Sequence, residues 1–134
     1  MEFNDLYRLS SHAVISNACG QVLLLKATYA AGSWGLPGGG LDMGETIRDA
    51  LLRECREEMA CDIQIDYLSG VYFHSVVTSH VFIFRCHLAE NAQIHLSNEH
   101  SEYRWFNLED LSAIQRTRVE DCLNFNGDII SRHF

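Results

Sequence analysis

Three glutamates, Glu54, Glu57 and Glu58, stand at the i, i+3 and i+4 spacing of a single helical turn. On an α-helix such positions project from one face, so the three carboxylates point toward a common place. Counting about 100° per residue from Ile47 puts Ala50 and Leu51 on one stripe with Glu54 and Glu58. Glu57 falls at the edge of that stripe, and Asp49, Arg53, Arg56 and Ala60 lie opposite. The acids therefore leave the helix from its apolar side. Like charges crowded out of water repel one another and shift their pKa values upward unless something positive neutralises them. A hard divalent cation does so most simply, and an all-oxygen donor set favours Mg²⁺ or Mn²⁺ over zinc. Mg²⁺ typically keeps waters and borrows phosphate oxygens from a substrate, which directs attention to phosphate chemistry. Acidic runs on helices are more often solvated faces, so Glu57-Glu58 alone would carry no functional weight.

The frame around the acids is more specific than the acids themselves. Gly39 is followed by five residues, Glu45, seven residues, and then Arg53-Glu54-Cys55-Arg56-Glu57-Glu58-Met59-Ala60-Cys61. This resembles the box of the Nudix hydrolase family (MutT-like): Gly, five residues, Glu, seven residues, then Arg-Glu-aliphatic-any-Glu-Glu-any-Gly-aliphatic. Every charged position is filled. Cys55 replaces an aliphatic residue, a neutral change because a buried cysteine behaves as a small hydrophobe. Ala60 replaces the glycine that suits a left-handed helix cap, a conformation costing alanine roughly 1 kcal/mol, so a slightly altered helix terminus is expected. Upstream, Pro37-Gly38 pre-sets a tight turn, and Gly38-Gly39-Gly40 lets backbone approach a phosphate-rich ligand. No Gly-Lys-Ser/Thr follows, so it is not a P-loop, and Met43 occupies the place of the third glycine of a dinucleotide fingerprint. Thr46 and Asp49 make a capping box, which leaves Glu45 just outside the helix.

The resemblance implies hydrolysis of the pyrophosphate linkage of a nucleoside diphosphate joined to another moiety, such as a nucleoside triphosphate, ADP-ribose or a sugar nucleotide. It matches Glu54, Glu57 and Glu58 to the family's metal-binding acids, with Gly39 and Glu99 counted in the metal set. It makes Glu45 structural, with Arg53 as its partner, and gives Pro37 and Gly38 a supporting role in the loop. The general base varies within the family; the candidates are Glu54 and an acid before the last strand, for which Glu99 is chosen over Glu102. The cofactor implied is Mg²⁺, with Mn²⁺ possible. A domain that kept the fold but lost turnover would be a nucleotide sensor, and a chance acidic helix on a scaffold protein would show no metal dependence. All acids of the box are intact, which favours the enzyme.

The elements that must position these residues follow from periodicity. Strands are expected over Ser11–Ser16 and Gln21–Lys26 as a hairpin, followed by the loop and helix. Alternation at Ile63, Ile65 and Tyr67 comes next, then paired strands over Val71–Val77 and His80–Leu88. The last of these is apolar on both faces and suits a strand between two layers. Ser101–Phe106 reads as the last strand, Asn107 with Asp110 caps a short helix, and Arg116–Phe125 forms another that exposes Arg118 and Glu120. The result is an α+β fold, an α/β/α sandwich with a mixed sheet between helices, as a single domain over residues 1–134.

Composition sets the remaining bounds. A net charge of −8 and a pI near 5.2 argue against a non-specific nucleic-acid binder or a membrane-surface protein. Five cysteines without a Cys-x-x-Cys pair read as reduced and intracellular, and no signal peptide is apparent at Met1–Asp5, so a cytoplasmic protein is expected. The partner expected is a small nucleotide, with no stable nucleic acid, no membrane and a homodimer as an open option. Tyr7, Tyr29 and Trp34 are candidates to stack on a base, with Trp34 leaning to core support. Arg8, Lys26 and Arg85 are candidates for phosphate, although isolated basic residues are ordinarily solvated. His74, His80 and His87 line the strand region without forming a metal pair.

Overall fold

The computed structural model describes residues 2–134. Strand β1 (Arg8–Val14) lies parallel to β6 (Ser79–Leu88) and antiparallel to β4 (Gly38–Gly40). Strand β5 (Ile63–His74) pairs antiparallel with β6 and parallel with β8 (Ile130–His133), completing a five-stranded mixed sheet of order β4-β1-β6-β5-β8. A second, three-stranded sheet places β2 (Val22–Ala27) between β3 (Trp34–Gly35) and β7 (His100–Phe106). Helix α1 (Ile47–Met59) follows β4, and α2 (Ala113–Leu123) precedes β8.

Alternation decides which face each helix covers. Side chains in a strand point to opposite faces in turn. Ala13 and Ile15 of the first strand region, with Phe84 and Cys86 of β6, pack on Leu51, Cys55 and Met59 of α1. Val14, with Val81 and Ile83, packs instead beneath Val119 and Cys122 of α2. The mixed sheet therefore separates the two helices, and β2, buried at Val22, Leu23, Leu24 and Leu25, contributes to both cores. That is the α+β sandwich expected, and β6 is the two-faced central strand.

Several expected elements differ. The turn at Asn17–Gly20 forms, and Ser16 bridges Val22, but β1 and β2 then part into different sheets rather than continuing as a hairpin. Residues 63–74 make one strand because bulges between Ile65 and Tyr67 and between Leu68 and Gly70 restore its register. Asn107 caps nothing; Leu108–Asp110 is a single 3-10 turn, and the Asn107 carboxamide instead accepts from Gln21. Helix α2 begins earlier than expected, with the Ser112 hydroxyl accepting from the Gln115 N–H. Arg118 is turned inward, half-buried rather than exposed, where it meets Gln115 and His74. Strand β8 follows the strand expected to be last.

Candidate active site

Helix α1 begins as its sequence dictates. The Thr46 hydroxyl accepts from Asp49 N–H at 3.1 Å and the Asp49 carboxylate accepts from Thr46 N–H at 3.4 Å, the reciprocal capping box. At its other end Ala60 holds the left-handed conformation, φ 54°, that the family glycine would take, with its N–H on the Arg56 carbonyl. The terminus is therefore kept rather than altered, and the substitution appears as local strain.

The three acids on this helix face different surroundings. Glu58 is the buried one, at 4% exposure, and its Oε1 accepts from Gly38 N–H at 2.8 Å. Its Oε2 lies 3.5 Å from His100 Nε2 at the start of β7. Burial, then repulsion from Glu54, Glu99 and Glu57, pushes its pKa up to about 8 against the opposing pull of the Gly38 N–H. Glu54 is partly buried, and burial raises its pKa despite a 2.9 Å bond from Arg53 Nη1. Glu57 does not share that burial. Its side chain is 60% exposed and meets Arg53 at 3.2 Å, which corrects the expectation of three acids crowded together against the interior.

Arg53, placed opposite the acids by angular counting, reaches back to them through its long side chain. Its Nε donates to Glu45 Oε2 at 2.7 Å and its Nη2 to Glu45 Oε1 at 2.9 Å, a two-point contact of the expected pair. A further bond to the Gly40 carbonyl at 3.0 Å ties the loop to the helix. Hydrogen bonds from Arg53, and then from Asp42 N–H, hold the Glu45 pKa down to about 2.

The glycine run is a strand, not an open cradle. Gly38, Gly39 and Gly40 pair with His12, Ser11 and Ser10. The close approach they permit is internal: a Cβ on Gly38 would lie 2.1 Å from the Ser11 carbonyl oxygen, and one on Gly39 would lie 2.6 Å from the Glu54 carboxyl carbon. Between the sheets lies a cavity of about 140 Å³ lined by His12, Tyr29, Ser33, Leu36, Glu58 and His100, among others. A larger cleft of about 470 Å³ runs past Tyr7, Arg8, Leu9 and the Gly40–Glu45 loop.

Other candidates sort by their contacts. Glu99 is exposed just before β7, and its charge raises the pKa of both Glu54 and Glu58. Glu102 is engaged by Arg104 at 2.8 Å. Trp34 packs edge-on against Phe106 with the Arg104 guanidinium over its ring, a supporting position. Tyr29 is exposed over the cavity near His100, and Tyr7 packs on His80 and Phe73. Arg85 is absorbed by the Val14 and Cys86 carbonyls and the Ser16 hydroxyl, and His87 pairs with Asp66, so neither faces the site. His12 and His100, which the sequence reading passed over, line the cavity. Single histidines on strands carry no local signal of that role.

Among the described residues no three His, Cys, Asp or Glu side chains stand together as a ready-made ligand set, and Arg53 meets both Glu54 and Glu57. The donor chemistry nonetheless fits a hard cation. Glu58 is a buried carboxylate that no protein cation neutralises within 3.5 Å other than the weakly basic His100, and Glu54 and Glu99 bring further oxygen near it. Similarity to known proteins defines the class, a hydrolase of phosphoric anhydrides of pyrophosphohydrolase type. A NUDIX domain model matches residues 6–122, and the chain belongs to the Nudix family.

Relatives place it more closely. A MutT-like protein of Streptomyces ambofaciens is 26% identical over 132 residues, covering 96% of this chain and 84% of its own. An RNA pyrophosphohydrolase of Blochmanniella floridana is 40% identical over 70 residues, covering 50% of this chain and 44% of its own length. Among solved structures, the MutT protein of Methanosarcina mazei superposes with a TM-score of 0.72 at 28% identity, over 89% of this chain and 94% of that one. No helix among the described residues is long and apolar enough to cross a membrane.

Proposed function

We propose that this chain hydrolyses the pyrophosphate linkage of a nucleoside diphosphate joined to another moiety, with Mg²⁺, or Mn²⁺ in its place, as the resident cation. The observation that carries this reading is Glu58, a carboxyl placed out of water, oriented by a backbone N–H and met, among the described residues, by no basic group except the weakly basic His100 at 3.5 Å. Glu54, Glu58 and Glu99, with the exposed Glu57 and the backbone of Gly39, are the groups that would hold the ion. When bound, such an ion neutralises phosphate charge and lowers the pKa of water. Arg53 positions Glu54 and Glu57 while it anchors Glu45, so the loop and the helix present the acids as one unit. Glu99 is the general base in this reading. What supports this choice is that its charge acts on both Glu54 and Glu58 and that it is exposed to water, whereas the Glu102 carboxylate is occupied by Arg104.

The test is release of nucleoside monophosphate or phosphate from a panel of nucleoside triphosphates, ADP-ribose and sugar nucleotides. It is run with Mg²⁺, with Mn²⁺ and with chelator, on the wild type and on Glu58→Gln. Turnover is expected only with a divalent ion, with a fall of about a hundredfold or more in the variant. Because Gln at that position keeps an acceptor for Gly38 N–H and, like a carboxyl that burial holds largely protonated at neutral pH, carries no charge, its melting temperature without metal should stay close to that of the wild type. Metal-independent turnover, or an active Glu58→Gln, would overturn the reading, and nucleotide binding without any product would favour a sensor.

A further inference from the structure

Glu99 stands on a tight turn at the end of an irregular segment. Strand β6 ends at Leu88 and β7 begins at His100. Between them Ala92, Ile94 and Leu96 pack against the core beneath α1, and two backbone bonds tie the segment to the end of that helix. His95 N–H donates to the Met59 carbonyl at 2.9 Å, and Ser97 N–H donates to the Glu58 carbonyl at 3.1 Å. The chain then reverses. His100 N–H donates to the Ser97 carbonyl at 3.3 Å, which leaves Asn98 and Glu99 as the central pair of the turn. The Glu99 N–H donates to the Ser97 hydroxyl at 3.4 Å. Glu99 is thus flanked by two residues that touch Glu58, Ser97 through its backbone and His100 through its ring at 3.5 Å.

The tip of an exposed turn is ordinarily among the loosest parts of a chain. Here Thr28 closes on it. Thr28 follows β2 just beyond the register shift at Lys26 and Ala27. Its N–H donates to the Glu99 carbonyl at 2.9 Å, and its hydroxyl lies 3.1 Å from the carbonyls of both Asn98 and Glu99. A hydroxyl has one proton to give, so that proton is shared between the two acceptors. The backbone bond alone would fix a single carbonyl and leave the turn free to rotate about it. Adding the hydroxyl grips successive carbonyls and removes that freedom. Thr28, Asn98 and Glu99 are all exposed, so water replaces the hydroxyl bond at little cost to stability. What the hydroxyl contributes is a fixed direction for the turn and for the acid on it.

We propose that Thr28 is a positioning residue for the reaction: by holding both carbonyls at the tip of the turn between Ser97 and His100, it fixes the direction in which Glu99 meets the acids of α1. This role rests on the pyrophosphohydrolase reading above, with Glu99 as its general base. The test compares the wild type with Thr28→Val, Thr28→Ser, Glu99→Gln and the double variant, on the nucleotide that the wild type turns over with Mg²⁺. Thr28→Val keeps the shape of the side chain and loses only the hydroxyl. It should lower kcat about tenfold, with KM within about twofold and the melting temperature within a few degrees of the wild type. Thr28→Ser, which returns the hydroxyl, should recover kcat to within about threefold. In the Glu99→Gln background, Thr28→Val should lower kcat no further, because the two residues act as one unit. Amide hydrogen exchange over residues 95–101, read without substrate or metal, should quicken in Thr28→Val and return in Thr28→Ser. Unchanged kcat or unchanged exchange in Thr28→Val overturns this proposal alone, as does a loss equally deep in the Glu99→Gln background or one that Thr28→Ser fails to recover. A fully active Glu99→Gln overturns the choice of base and this role with it. A wild type that turns over no substrate with any divalent ion overturns the hydrolase reading, and this role falls with that.

Discussion

At the scale of single residues, His12 shows how the fold sets a protonation state. Its ring is enclosed between Leu36, whose carbonyl lies 3.3 Å from Nδ1, and Ser10, whose hydroxyl lies 3.2 Å from Nε2. Burial, then the Arg118 charge, brings its pKa down to about 4 against the weak opposing pull of the Leu36 carbonyl. The folded protein therefore keeps His12 neutral to about pH 4, while the unfolded chain takes up the proton near pH 6.5. Between those values the unfolded state binds more protons, so stability falls as the pH is lowered through that window and is unaffected above it. The contribution is of order 3 kcal/mol. Denaturant unfolding at pH 7, 5.5 and 4.5 should show a shallower acid loss in His12→Phe than in the wild type, and equal slopes would refute the assignment. Burial acts on Glu58 in the opposite sense, because desolvation favours the neutral form of either group. Neither shift is legible in the sequence, since it comes from neighbours far along the chain.

At the scale of elements, the glycine strand separates structure from function within two adjacent positions. Gly38 has φ 136°, and a Cβ there would meet main-chain atoms of Ser11 and His12 at 2.1 and 2.7 Å. Those atoms belong to β1 and cannot yield, so Gly38→Ala should cost about 2–4 kcal/mol by chemical denaturation. At Gly39 the obstruction is the end of the Glu54 side chain, which can swing aside. Gly39→Ala should therefore cost about 1 kcal/mol or less in stability and yet lower turnover about tenfold or more, because Glu54 leaves its place. Equal stability losses in the two variants would show that this distinction is wrong. The start of helix α1, its apolar stripe and the inward Glu58 were legible because capping box and stripe are local, whereas the exposure of Glu57 and the unaltered terminus at Ala60 were not. The glycine strand was not, because three residues without side chains carry no alternation to count. For α2, the inward Gln115 and Arg118 defeat a periodicity count that equates polar with exposed, although Ser112-x-x-Gln115 is a capping pattern that marks the true start. The parallel pairing of β1 with β6 joins residues about seventy positions apart, and nothing local announces it.

At the scale of the whole molecule, the mixed sheet sets the acid-bearing α1 on one face and the arginine-bearing α2 on the other, and the last strand fastens the second helix down. Tyr72 of β5 is fully buried, and its hydroxyl donates to Asp121 of α2 at 2.9 Å. Arg132 of β8 then grips both oxygens of Asp121, at 2.8 and 2.9 Å. Phe134, just beyond β8, stacks on Tyr72 with ring centroids 5.9 Å apart, and its backbone bonds both to the Phe73 carbonyl and to Ser75 N–H. Helix, central sheet and chain end thus meet at one aromatic ring. Losing a fully buried phenylalanine costs about 3–5 kcal/mol, and this ring is only partly buried, so Phe134→Ala should destabilise by about 1–3 kcal/mol in denaturant at neutral pH. Arg132→Ala should cost less, about 1 kcal/mol, since its side chain is 45% exposed and water replaces much of the pair. A Phe134→Ala loss smaller than that of Arg132→Ala would mean that the ion pair, rather than the stacked ring, holds α2 against the sheet.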